Sequence, residues 1–152
     1  MSKVYSFKTT QLLPISMEAA WNFFSNPENL FDITPDKLDF RTISRYHGDK
    51  MYTGQLIEYT VSPFLGIPLY WMTEITHVEQ HKYFVDEQRF GPYSMWHHQH
   101  HFKEVEEGVE MTDIVHYKLP FWFFGDIANW FFVKQQLKII FDYRFNAVKK
   151  YF

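Results

Sequence analysis

Apolar and polar side chains alternate at the start of the chain, in residues 3–13 (KVYSFKTTQLL), and this period of two predicts a β-strand that Pro14 ends. Ser16 then stands as a helix N-cap with Glu18 in the first turn, and Ala19, Ala20, Phe23 and Phe24 form the apolar side of a short helix. Asn26-Pro27 repeats the start signal and predicts a second short helix over 27–32, stopped by Thr34-Pro35. Six further strands are predicted at 37–46, 52–61, 68–78, 82–90, 94–106 and 109–119. They are separated by His47-Gly48-Asp49, by Pro63 with Gly66 and Pro68, by Gly91-Pro92 and by Glu107-Gly108. From Gly125 to Phe152 the period becomes helical with no Pro or Gly after the start, a helix of about 42 Å at full extent. The order is strand, two short helices, six strands, one long helix: an α+β chain whose short connections predict a meander, with the sheet curved round the last helix.

The Glu107-Gly108 hairpin sorts the side chains of its two strands. If those two residues are the loop, Glu106 pairs with Val109, and Phe102, His100, His98 and Trp96 face Asp113, Val115, Tyr117 and Leu119. The opposite face carries His97, Gln99, His101, Lys103, Thr112, His116 and Lys118, with Ile114 the one apolar exception. The first set is therefore the inner one, and it places two histidines and an aspartate among large apolar groups. On neighbouring strands Trp71, Thr73 and Ile75 share a face, as do Ile57, Tyr59 and Val61; Phe84, Asp86, Gln88 and Phe90 are read as inward because that set has the larger rings. At 100° per residue Trp130, Val133, Leu137, Ile140, Phe141, Val148 and Tyr151 form the apolar face of the last helix, opposite Gln135, Lys138, Asp142, Asn146 and Lys149. Arg144 lies within that apolar face. A buried guanidinium needs an anion, so Asp113 is the expected partner, Asp86 the second choice and a ligand's carboxylate or phosphate the third.

Composition narrows the function. The 152 residues suit one domain over 1–152 that needs no disulfide or structural metal. The net charge of −3 argues against nucleic acid as a partner, and the absence of cysteine removes thiol nucleophiles and Cys-based metal sites. No apolar run is long enough to span a membrane and MSKVYSFKTT has no signal-peptide core, so a cytoplasmic protein is expected. Phe121-Trp122-Phe123-Phe124 has no basic cluster beside it and gives no firm membrane contact. Aromatic residues make up 21% of the chain, enough to line an apolar cavity as well as fill a core. Strand alternation divides His97, His98, His100 and His101 into two per face. With Asp113 as a third inner donor this stays below a persuasive ligand set, and no metal or other cofactor is expected.

Leu13-Pro14-Ile15-Ser16 with Ala20-Trp21-Asn22-Phe23-Phe24, Pro27-Glu28-Asn29-Leu30 and Ile33-Thr34-Pro35 forms a distinctive opening. Trp96-x-His98-x-His100-x-Phe102, Asp113-x-Val115-x-Tyr117-x-Leu119-Pro120 and Phe141-x-x-Arg144 follow later. Together, over nearly the whole chain, these resemble a bacterial ligand-binding subgroup of the helix-grip superfamily of START lipid-transfer domains, the birch-pollen allergen and polyketide cyclases (SRPBCC). The resemblance implies a hydrophobic ligand cavity between sheet and C-terminal helix, and no particular ligand. The expectation is a binding or carrier module for a small apolar molecule of lipid, isoprenoid or aromatic polyketide type. Trp71, Trp96, Phe102, Tyr117, Ile140 and Phe141 are expected to supply contact area. His98, His100, Asp113 and Arg144, with Asp86 and Gln88, are expected to orient one polar group. The alternative is a cyclase- or dehydrase-type enzyme with His98 or His100, paired with Asp113, as general base. A third class is a protein–protein regulator whose core is simply filled. Phe132, Ile139 and Tyr143 on a flank of the helix offer a homodimer patch.

Overall fold

Seven strands in the order β1-β7-β6-β5-β4-β3-β2, antiparallel at every pairing, form one open sheet in the computed structural model. The structure describes residues 3–43, 50–64, 66–120 and 132–152, with the backbone alone at 63 and 64. The strands are β1 (Tyr5–Leu13), β2 (Arg41–Thr42), β3 (Leu56–Phe64), β4 (Ile67–Glu79), β5 (Tyr83–Phe90), β6 (Met95–Val105) and β7 (Gly108–Lys118). Between β1 and β2 lie α1 (Met17–Phe24), α2 (Asn29–Asp32) and a 3₁₀ turn at Asp36–Leu38; α3 (Lys134–Val148) follows the sheet. This is the helix-grip α+β fold. His47-Gly48-Asp49, Phe121-Trp122-Phe123-Phe124, Trp130 and the start of the long helix at Gly125 lie outside the described residues. No described helix is long and apolar enough to cross a membrane.

The local signals act where the sequence placed them. Ser16 Oγ accepts from the Ala19 N–H at 3.2 Å and starts α1. Asn26 Oδ1 accepts from the Glu28 N–H at 3.0 Å, which turns the chain ahead of α2 and delays that helix by two residues. Four expectations need correction. The sheet is a meander only from β2 to β7; β1 pairs instead with β7, because α1 and α2 carry the chain across to the far edge before β2 begins. Among the described residues the predicted strand at 37–46 is a strand at Arg41–Thr42 alone, because the 3₁₀ turn occupies its first residues. The β6–β7 turn is Glu106-Glu107, with Val105 opposite Gly108, so the register differs by two residues from the expected one. A shift of two keeps every side chain on its face, and it sets His100 directly opposite Asp113. Finally, Phe90 is 63% exposed. Thr73 pairs with Gln88 and Met72 with Phe90, so Arg89 is an extra residue that turns Phe90 to the outer face.

Gly108 fixes that turn. Its φ is +138°, and a Cβ there would lie 2.1 Å from the Leu13 carbonyl oxygen, a backbone atom that cannot swing aside. Gly108→Ala is expected to destabilise the fold by more than about 1 kcal/mol, measured as a loss in urea-unfolding midpoint.

Two packed zones flank the middle of the sheet. At one, Val133, Leu137 and Phe141 of α3 lie on Val115, Tyr117 and Leu119, and the Phe141 ring is 5.0 Å from Phe7. At the other, Ala20 and Trp21 of α1 meet Phe84, Phe102, Met111 and Val148. Gln135, Lys138, Asp142, Asn146 and Lys149 are exposed, as the helical period requires, whereas Tyr151 of the expected apolar face is 48% exposed beyond the helix end. Phe132, Ile139 and Tyr143 are also exposed.

Candidate functional site

Between these zones β3–β6 face α3 across a cavity of about 190 Å³. Ile57, Tyr59 and Val61 of β3 and Trp71, Thr73 and Ile75 of β4 form one wall; Ile140, Phe141 and Arg144 of α3 form the other. An aromatic group frames one end. Trp71 stacks on Tyr59 at 5.9 Å and meets Trp96 edge-on at 5.5 Å, while Tyr93 lies 4.9 Å from Trp96. Thr73 Oγ1 accepts from Trp71 Nε1 at 3.1 Å and shares a hydrogen bond with the Tyr59 hydroxyl at 3.1 Å, so the polar tips of both rings are satisfied within the wall.

Beside the rings is a compact polar cluster. Asp113 on β7 is 6% exposed and lies behind two imidazoles: His98 Nε2 at 2.8 Å and His100 Nδ1 at 3.0 Å from its Oδ1. The first contact is a hydrogen bond; the second is close, but its angle makes none, which leaves His100 Nδ1 without one. Asp86 on β5 faces the other nitrogens, with His100 Nε2 at 2.7 Å and His98 Nδ1 at 3.7 Å from its Oδ2. The two imidazoles stack at 3.8 Å, and Phe84 stacks on His100 at 4.1 Å.

Burial would raise the Asp113 carboxyl, but its contacts to His100 and His98 outweigh that and hold it far below the usual carboxylate range. Asp86 is likewise lowered against burial, by the charges of His98, His100 and Arg144. Burial and the like charge of His100 lower His98, whereas the two carboxylates raise His100 in spite of its burial. A proton on the pair is therefore favoured on His100 over His98. Because Asp113 is ionised and only accepts, the hydrogen of neutral His98 is on Nε2. The two rings are expected to titrate on opposite sides of pH 6.5, His100 above and His98 below, in imidazole NMR spectra. The stability contributed by His100 is complete below pH 6.5 and is lost as pH rises through its folded pKa; that of Asp113 is present above about pH 3.8 and is lost on acidification.

Arg144 departs from expectation. It forms no ion pair with Asp113 or Asp86 among the described residues, and its buried Nε lacks a hydrogen-bond partner. Asp113 is already taken by the histidines. The guanidinium lies 5.1 Å from the Phe141 ring and lines the cavity, where both carboxylates act on it from a distance and burial lowers its pKa.

Of the residues selected from sequence, Trp71, Asp86, Trp96, His98, His100, Ile140, Phe141 and Arg144 line the cavity together. Gln88, Phe102, Asp113 and Tyr117 do not. Gln88 clamps the turn after β5, donating to the Tyr93 carbonyl at 2.7 Å and accepting from its N–H at 3.1 Å. Phe102 lies under Trp21, and Tyr117 lies under α3. Tyr93, Leu38 and Phe40 also line the cavity and were missed; the Gly91-Pro92 turn that presents Tyr93 was visible in the sequence, but its direction was not.

No protein-family model matches the sequence, and no curated protein does. Solved structures do match. A protein of unknown function, SA2116 from Staphylococcus aureus, superposes with a TM-score of 0.70 at 10% identity, over 98% of this chain and 96% of that one. An uncharacterised protein from Rhizobium leguminosarum gives 0.69 at 13%, over 99% and 97%. Ara h 8.0201, of the birch-pollen-allergen type, gives 0.64 at 14%, over 98% and 97%. At these identities the likeness establishes the fold.

Proposed function

We propose that the chain is a single-domain member of the SRPBCC superfamily, close to its bacterial ligand-binding subgroup, that binds a small, largely apolar molecule carrying one anionic group. The observation that carries this reading is Arg144, a half-buried guanidinium with a buried Nε and no ion pair among the described residues, on the wall of an otherwise mostly apolar cavity. A buried charge is costly unless something meets it, and a carboxylate from outside suits the planar fork of Arg. The cavity volume of about 190 Å³ compares with the roughly 150 Å³ that lets an apolar cavity take up benzene. Trp71, Trp96, Tyr59 and Tyr93 supply flat apolar contact, which fits a lipid, isoprenoid or aromatic polyketide skeleton.

Trp71 and Trp96 also supply the test. Titrating the chain with a medium-chain fatty acid and with the alcohol of the same length is expected to change tryptophan fluorescence, with the acid binding about 10-fold tighter or more. Equal affinities would remove the anionic group from the account.

A second reading is a cyclase- or dehydrase-type enzyme. It draws on the His100–Asp86 contact of 2.7 Å at the cavity wall, which is suited to moving a proton at a carbon next to a carbonyl. His100→Ala distinguishes the two readings: a binder changes affinity only, whereas an enzyme loses roughly 10²–10⁴-fold in rate.

A further inference from the structure

We infer that Asp86, His98 and His100 form a binding site for one divalent transition-metal ion at the cavity wall. Each offers a donor atom, and the three atoms lie within 4.8 Å of one another. His98 Nδ1 and His100 Nε2 converge on Asp86 Oδ2 from two adjacent positions of one strand, at 3.7 and 2.7 Å. The His100 Nε2–Asp86 Oδ2 hydrogen bond holds a proton where the ion would sit, so a metal ion would take that proton's place between the same three donor atoms.

Asp113 supplies the second half of the site. It hydrogen-bonds the far nitrogen of His98 at 2.8 Å and lies 3.0 Å from that of His100, so one carboxylate stands behind both rings while their other nitrogens face the cavity. A carboxylate behind a ligating imidazole fixes its tautomer and orientation, and this pattern accompanies metal-bound histidines generally. Asp86 keeps 17% side-chain exposure against 8% for Asp113, which fits a donor on the cavity side and a support behind it. The stacked neighbours Phe84 and His100, and the packing of both histidines, lock the rotamers.

The donor chemistry selects the ion. Two imidazoles and one carboxylate suit Zn²⁺, Fe²⁺ or Co²⁺, whereas Mg²⁺ and Ca²⁺ favour all-oxygen shells. Three protein donors leave coordination positions open, and Asp86, His98 and His100 all line the cavity, so the open side is where an organic molecule would enter. Charge agrees. Once the ion has displaced the proton from the rings, Asp86, Asp113 and Arg144 sum to −1, and a divalent ion leaves a net +1 for an anionic ligand to neutralise. The site rests on its own geometry and does not depend on the ligand reading.

The test uses the full chain after dialysis against chelator, titrated with Co²⁺ alone and followed by its visible absorption, with Zn²⁺ as competitor. The expected result is one Co²⁺ per chain, displaced by Zn²⁺. Asp86→Asn, the mildest change because that side chain is partly exposed, should weaken binding by more than about 100-fold; Asp113→Asn should weaken it by roughly 10- to 100-fold. His97→Ala, on the outer face, should leave it unchanged. Circular dichroism establishes that each variant is folded, and His98→Gln replaces any that is not. A chain that takes up no Co²⁺ overturns the inference. So does a folded Asp86→Asn variant that binds like the parent, or binding that is lost with His97 instead.

Discussion

Replacing Asp113 with alanine is expected to destabilise the fold by about 3–5 kcal/mol, the usual consequence of removing one partner from a buried charged pair. The carboxylate is 6% exposed and is the common neighbour of His98 and His100; without it the His98 N–H and the Nδ1 side of His100 remain buried and unmatched. The exposed pair Lys138–Asp142, at 2.7 Å one turn apart on α3, gives the contrast. Asp142→Ala there should cost no more than about 0.5 kcal/mol, because water and salt screen the pair. Urea unfolding of both variants measures the difference. A loss below 1 kcal/mol for Asp113→Ala would mean that the histidines are held by packing alone.

Arg144→Met is expected to divide stability from function. Methionine fills a similar volume and removes a desolvated charge that no described residue pairs with, so the melting temperature should stay level or rise. Affinity for the acidic ligand should fall by about 10- to 100-fold, the worth of a charge-assisted hydrogen bond, while affinity for the corresponding alcohol should barely change. A variant that melts far lower would instead make Arg144 a structural residue, with Asp86 and Asp113 as its distant counter-charges.

Much of this site can be seen in the sequence, because a strand exposes its chemistry by parity. Trp96, His98, His100 and Phe102 alternate with plainly polar neighbours, and although a one-residue slip of the hairpin would have reversed the faces, the two-residue difference in the turn leaves His98 and His100 inward. Arg144 was legible for the same reason at helical period. Its partner was not. Pairing across elements depends on how far along the sheet α3 settles, and that follows from Val133, Leu137 and Phe141 seating on Val115, Tyr117 and Leu119. The same seating buries Tyr117 away from the cavity. Asp86 came into place beside His100 through the β5–β6 register, which no local signal specifies. Parity fails at bulges: one extra residue at Arg89 sends Phe90 outward, and nothing in the run from Tyr83 to Phe90 announces it.

The most direct measurement is native mass spectrometry of the gently purified chain, with extraction of whatever it retains and, for an empty chain, a thermal-shift series of fatty acids, isoprenoid acids and aromatic polyketides. The expected result is one small molecule per chain, apolar over most of its skeleton and bearing a single acidic group, or stabilisation by an acid of that kind. A chain that retains nothing and responds to none of them would contradict it, and would make the space between sheet and helix an incidental gap in a packed core.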